Sequence, residues 1–172
     1  MELVANMDGT WSMQKLHDME KLLLEKIREA ADYSDSEKAK ERIFPTPVRD
    51  DGKPDEDADA IRGDWGELVR PELASLFEDA LGVVEDDLKK MKKSRAGKKG
   101  ERYEISVPKA HANQWCQALN QARLVLHEKH ALPEQNEMLD GEIPEGKWMA
   151  MLQSEIYGVI MEFLVTRVLW IK

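Results

Sequence analysis

Residues Trp115 to His130 read Trp-Cys-Gln-Ala-Leu-Asn-Gln-Ala-Arg-Leu-Val-Leu-His-Glu-Lys-His. Ala112, Trp115, Leu119, Ala122 and Leu126 recur at three- and four-residue intervals, so one side of a helix opened by Pro108 is apolar. Cys116, Ala118 and Val125 widen that side. A face this broad makes the segment a central helix, ending near His130 or Ala131. The same helix carries Asn120, Arg123, His127, Glu128 and His130, a polar set that core packing does not require.

Toward the C-terminus, Leu132 to Lys147 reads as a loop with Pro133, Gly141, Pro144 and Gly146. A last helix is expected from Trp148 to Trp170, with Met151, Leu152, Ile156, Val159, Ile160, Phe163, Leu164 and Val168 as a wide apolar stripe. Such a helix is buried in a bundle or at an interface. An end reading Val-Leu-Trp-Ile-Lys must be covered by the chain's own bundle or by a second copy. A homodimer through this helix is therefore expected.

Toward the N-terminus, Arg102 to Val107 alternates with a two-residue period and reads as a strand. Met1 to Gln14 reads as two short strands around Met7-Asp8-Gly9, a hairpin signal. A lone hairpin is marginal, and the 102–107 strand is its natural third member. The fold class is thus mainly α, a helical bundle with a small antiparallel sheet.

The remaining segments fill in helices. Leu16, Met19, Leu23, Ile27 and Ala30 predict a helix over Lys15 to Tyr33, with more helix over Asp35 to Ile43. Phe44-Pro45-Thr46-Pro47 stops it. Val48 to Asp59 is an acidic loop lacking the ordered ligand spacing of a calcium hand. A helix starting near Pro54 or Asp55, which could cap it, carries Ala58, Ile61, Trp65, Leu68 and Val69 as its apolar stripe. Pro71 interrupts or kinks it, and a helix from Pro71 to about Lys93 follows. Ser94 to Gly100 is a basic connector without interleaved aromatics.

The chain has 172 residues, the length of one domain, and a net charge of -9. An acidic body repels phosphates, so neither nucleic acid nor membrane is an expected partner. Cys116 is the single cysteine, which excludes an internal disulfide and fits a cytoplasmic setting. No signal peptide is read at the N-terminus, and no stretch reads as membrane-spanning.

Few residues qualify as chemical. His127 and His130 are three apart, whereas the zinc-protease pattern needs four with a glutamate after the first, so no metal is expected. Cys116 lacks an activating base, since His111 is five residues away, and reads as structural. No glycine-rich phosphate loop or nucleophile elbow occurs, and no cofactor is expected. Asn120, Arg123 and His127 remain, adjacent on one helix face. A partly buried Arg123 needs a carboxylate, with Glu155, Glu162, Asp64 and Glu67 as candidates. The other reading is an anion site formed by Asn120, Arg123 and His127.

Trp115-Cys-Gln-Ala-Leu-Asn-Gln-Ala-Arg-Leu-Val-Leu is similar to the Trp-Leu-x-Ala-Leu-Asn-Asp-x-Arg-Leu-x-Leu segment of a bacterial family of unknown function, DUF2017. Met7-Asp8-Gly9, Ile43-Phe44-Pro45 and Leu152-Gln153-Ser154-Glu155 support the resemblance. The chain departs from the family at Gln121, where the family has Asp, and in the His127-Glu-Lys-His ending. The resemblance implies a mainly helical cytoplasmic protein with no established activity. It also implies genes near the adaptor of a Clp-type protease, a hint of protein turnover. The expectation is a non-enzymatic interaction or regulatory protein with a protein partner. The alternative is a small-molecule or anion-binding protein or enzyme using Asn120 and Arg123.

Overall fold

The computed structural model describes residues 1–48, 56–94, 101–133 and 146–170. Asp8 and Gly9 build the first turn. The Asp8 carboxylate accepts from the Thr10 amide and hydroxyl at 3.0 and 2.6 Å, and Gly9 takes φ 81°. The turn joins β1 (Glu2–Ala5) to β2 (Thr10–Leu16). The 102–107 strand is present as β4 (Arg102–Pro108) beside β2, with Trp11 opposite Val107 and Met13 opposite Ile105. A fourth strand not foreseen, β3 (Lys92–Ser94), gives the antiparallel order β1-β2-β4-β3.

Met13 and Leu16 are both buried although three apart, which a two-residue period forbids. A bulge between them resolves the conflict and puts Lys15 at φ 55°.

The first predicted helix is divided. After α1 (Asp18–Glu25) the chain leaves helical geometry at Lys26 and resumes as α2 (Ile27–Ala31). Carbonyls at the ends of both helices accept from distant helices. The Leu23 carbonyl accepts from the Tyr157 hydroxyl at 2.7 Å and from Gln153 Nε2 at 3.0 Å. The Ala31 carbonyl accepts from Gln121 Nε2 at 3.1 Å. Next, α3 (Glu37–Ile43) starts on Ser36, whose hydroxyl accepts from the Ala39 amide, and ends before Pro45.

Pro71 does not break its helix. Between α4 (Glu56–Asp64) and α5 (Arg70–Leu88) lies a π turn, Trp65–Val69, whose wider winding lets the Arg70 amide reach the Trp65 carbonyl. The widening just ahead of Pro71 relieves the ring's clash with the preceding turn. The expected Asp55 cap, and much of the acidic loop before it, lie outside the described residues. The expected stripe of this helix is largely not core. Ala58 is buried, but Ile61, Leu68 and Val69 are exposed. The helix ends at Leu88 rather than Lys93, because Met91 onward turns toward the sheet as β3.

The central helix α6 (Ala112–His130) follows a short 3-10 turn, Lys109–His111, and closes at Ala131 in the left-handed conformation. Most of the two connectors around 95–100 and 134–145 lies outside the described residues. The last helix is α7 (Trp148–Phe163), continued by a π turn, Leu164–Leu169.

One core cluster draws on every layer: Trp11, Met13 and Ile105 from the sheet, Leu24 and Ile27 from the first helices, Val84 from α5, Trp115 and Leu119 from α6, and Tyr157 and Ile160 from α7. Trp11 and Trp115 meet edge to face with centroids 5.2 Å apart. A smaller cluster joins Ala39, Ile43, Phe44 and Val125. Contrary to the reading that no stretch is membrane-spanning, Trp148–Leu169 is long and apolar enough by composition to cross a membrane. Here its buried side includes Gln153, Ser154 and Tyr157, which bond to the chain's own groups.

Candidate functional site

The three residues singled out on α6 fall in different environments. Asn120 is exposed and makes no side-chain hydrogen bond among the described residues. Arg123 is half-buried, and its guanidinium lies over Gly158 of α7, where an added Cβ would come within 3.4 Å of Cζ. That distance is ordinary van der Waals contact, so the planar group packs on α7 at this point without requiring a glycine. The expected carboxylate partner is not found. Among the described residues Arg123 pairs with none of Glu155, Glu162, Asp64 or Glu67, and its Nε is shielded from water with no acceptor. Arginine tolerates partial burial through its weak hydration, but an unused buried donor is costly.

His127 contacts Ser154 of α7, Nε2 to hydroxyl, at 3.1 Å. Burial, with the nearby Arg123 charge, lowers its pKa below the ordinary value. His127 is thus a neutral seam residue between α6 and α7, not a cation placed against the helix dipole. His130 is exposed. Arg123, His127, Ser154 and Gly158 form one polar seam, and Asn120 stands outside it on the exposed side. Among the described residues no three His, Cys, Asp or Glu side chains converge on a point suited to a metal ion.

A second polar cluster escaped the sequence reading. Asp87, near the end of α5, is fully buried at 0% exposure. Its Oδ2 accepts from His111 Nδ1 at 2.8 Å and Trp115 Nε1 at 3.1 Å, and its Oδ1 accepts from Lys90 at 2.9 Å. Burial opposes the charge, but the bonds from His111, Lys90 and Trp115 outweigh it and hold the carboxyl below the usual aspartate range. The cluster ties the end of α5 to the start of α6. The negative charge also lies close to the N-terminus of α6, where the dipole favours it. An aspartate holding a histidine can orient a general base, but His111 Nε2 makes no hydrogen bond among the described residues. Nothing in the sequence marks Asp87 among 34 acidic residues, because only burial sets it apart.

Cys116 is half-buried, and burial raises its thiol pKa. That leaves it protonated and unreactive near neutrality. An open depression of about 600 Å³ on the outer sheet face is lined by Asn6, Ser12, Gln14, Lys92, Glu104 and Ser106, among others, and does not include Arg123.

The other unusual feature is exposed apolar surface. Ile61, Leu68, Val69 and Leu76 stand out along α4, its π turn and α5, and Trp148, Val159, Val165 and Trp170 along α7 and its π turn. Monomeric proteins rarely leave such side chains grouped without use.

The family model described as Domain of unknown function (DUF2017) matches residues 2–168. No curated protein and no solved structure matches the chain.

Proposed function

We propose that this chain, which belongs to the DUF2017 family, is a non-enzymatic interaction protein that pairs with a second copy through its C-terminal helix. The supporting observation is the exposure of three apolar side chains along this helix and its π turn, Val159, Val165 and Trp170, the last 78% exposed. Their exposed neighbours Glu155, Glu162 and Arg167 carry both signs of charge. In a two-fold pair Glu162 of one copy can therefore face Arg167 of the other while the apolar side chains bury one another. A cytoplasmic setting and a part in protein turnover belong to the same proposal. They are supported by the single half-buried thiol and by the family resemblance.

Sedimentation equilibrium of the wild type and of Trp170→Glu and Val165→Glu tests the pairing. The expected result is a wild-type dimer that both substitutions convert to monomer with unchanged circular dichroism. A wild type that stays monomeric at high concentration overturns it.

The second reading, anion binding at Arg123, is favoured by one observation, the absence of any carboxylate partner for this guanidinium among the described residues. Under it, phosphate or citrate raises the melting temperature of the wild type and not of Arg123→Gln. Equal shifts in both proteins reject it.

A further inference from the structure

The long helix formed by α4, its π turn and α5 presents an apolar row, independent of α7. Ile61, Leu68, Val69 and Leu76 are exposed, Leu68 at 64%. Across the wider π turn the eight-residue step from 61 to 69, and along α5 the seven-residue step from 69 to 76, keep Ile61, Val69 and Leu76 near one side of the helix, with Leu68 beside them. Trp65 lies half-buried beside them, with its indole N–H shielded and without an acceptor among the described residues.

The charge around this row is one-sided. From Asp57 to Asp79 the sequence has seven acidic and two basic side chains. Both basic ones are engaged within the protein. Arg62 bonds Asp59, and Arg70 stands over the Phe44 ring at 5.3 Å. Asp64, Glu67, Glu72 and Asp79 are exposed and have no ion-pair partner among the described residues.

These two properties select an occupant. Exposed leucines and isoleucine reward an apolar face, and these carboxylates reward cations at its rim. A second copy offering the same row would set these carboxylates against their own kind. The α7 surface, with both signs, has no such conflict.

We propose that the exposed Ile61–Leu76 row, bordered by Asp64, Glu67, Glu72 and Asp79 with no ion-pair partner among the described residues, docks an amphipathic segment of another protein rich in lysine or arginine. Such a partner lays its apolar side along the row and its cations over the carboxylates, the helix-recognition mode in reverse polarity to a basic receptor. This inference rests on reading the chain as an interaction protein, but it uses a surface separate from the self-pairing helix.

The test uses the full chain and two synthetic peptides with the same leucine spacing, one with lysine and the other with glutamate at every polar position. Fluorescence anisotropy at about 50 mM and about 500 mM salt reads binding. Saturable binding of the lysine peptide is expected, at least about tenfold tighter than the glutamate peptide and weakened by salt. Leu68→Ser with Leu76→Ser, and separately Asp64→Asn with Glu72→Gln, should each weaken it by about tenfold or more. All four positions are exposed, so the fold is retained, and circular dichroism checks it. Equal binding of both peptides, or binding that neither double variant changes, overturns the proposal. So does a self-associated species lost on Leu68→Ser with Leu76→Ser, which would identify the occupant as a second copy. Peptide binding can fail while Trp170→Glu still dissociates a dimer, so failure here is distinct from failure of the self-pairing reading.

Discussion

Asp87→Ala probes the joint between α5 and the central helix. The substitution removes a fully buried carboxylate and strands the donors that converge on it. Trp115 is itself 0% exposed, so its indole N–H cannot be rehydrated in place, a cost of about 1–3 kcal/mol. His111 is one-third exposed and recovers part of its loss from water. Lys90 is mostly exposed, so its bond adds little. The total is about 3 kcal/mol, within the range for breaking a buried charged pair. Asp87→Asn keeps the shape and one acceptor and should lose about half as much. Urea unfolding followed by tryptophan fluorescence reads the loss as a lower midpoint at unchanged slope. The acid behaviour has a definite sign. The folded carboxyl titrates below its ordinary value, so its stabilisation is complete above the unfolded pKa of about 3.9 and is lost as pH falls through the folded one. The gap between wild type and Asp87→Ala should therefore hold at neutral pH and narrow below about pH 4. A loss under about 1 kcal/mol at neutral pH, or a gap that does not narrow in acid, would refute the reasoning.

Three further outcomes follow from the same geometry. Tyr157→Phe removes the hydroxyl from the Leu23 carbonyl but leaves Gln153 there, so thermal or urea unfolding should report a loss of about 1 kcal/mol. Lys15→Gly relieves the left-handed backbone at the bulge, and the melting temperature should rise by an amount equivalent to about 0.5–1 kcal/mol; a fall would mean that the bulge is not strained. Because His127 is held below its ordinary pKa, mainly by burial, the unfolded chain takes up its proton first, and stability falls as pH drops below about 6.5. His127→Gln should flatten that part of the stability profile, and an NMR titration of the imidazole should place its midpoint below that of a free histidine.

What could be read in the sequence was what local chemistry dictates. Asp8 and Gly9 specify a tight turn whatever surrounds them. The alternation Tyr103, Ile105, Val107 specifies one buried strand face, and the spacing from Ala112 to Leu126 specifies a buried helix face. The unforeseen features depend on distant groups. β3 is Lys-Lys-Ser, with no strand signal of its own, and pairs because β4 offers an edge. Pro71 reads as a break until the π turn beside it is seen. Ile61, Leu68 and Val69 have the pattern of a core stripe, and sequence cannot say that nothing among the described residues covers them. On α6 the informative polar residue is Gln121, buried against Ala31, while its neighbour Asn120 faces water. One position along a helix turns a side chain by about 100°, and only the packing of α2 decides which neighbour points inward. Arg123 was legible as unusual, but the lack of a carboxylate partner for it among the described residues was not.

Hydrogen exchange measured by mass spectrometry over a range of protein concentrations tests the self-pairing most directly. Pairing through the C-terminal helix predicts that peptides covering Val159 to Trp170 exchange more slowly as concentration rises, while peptides covering Ile61 to Leu76 do not change. Exchange that is independent of concentration throughout, or protection that appears on α4 instead, would contradict the account.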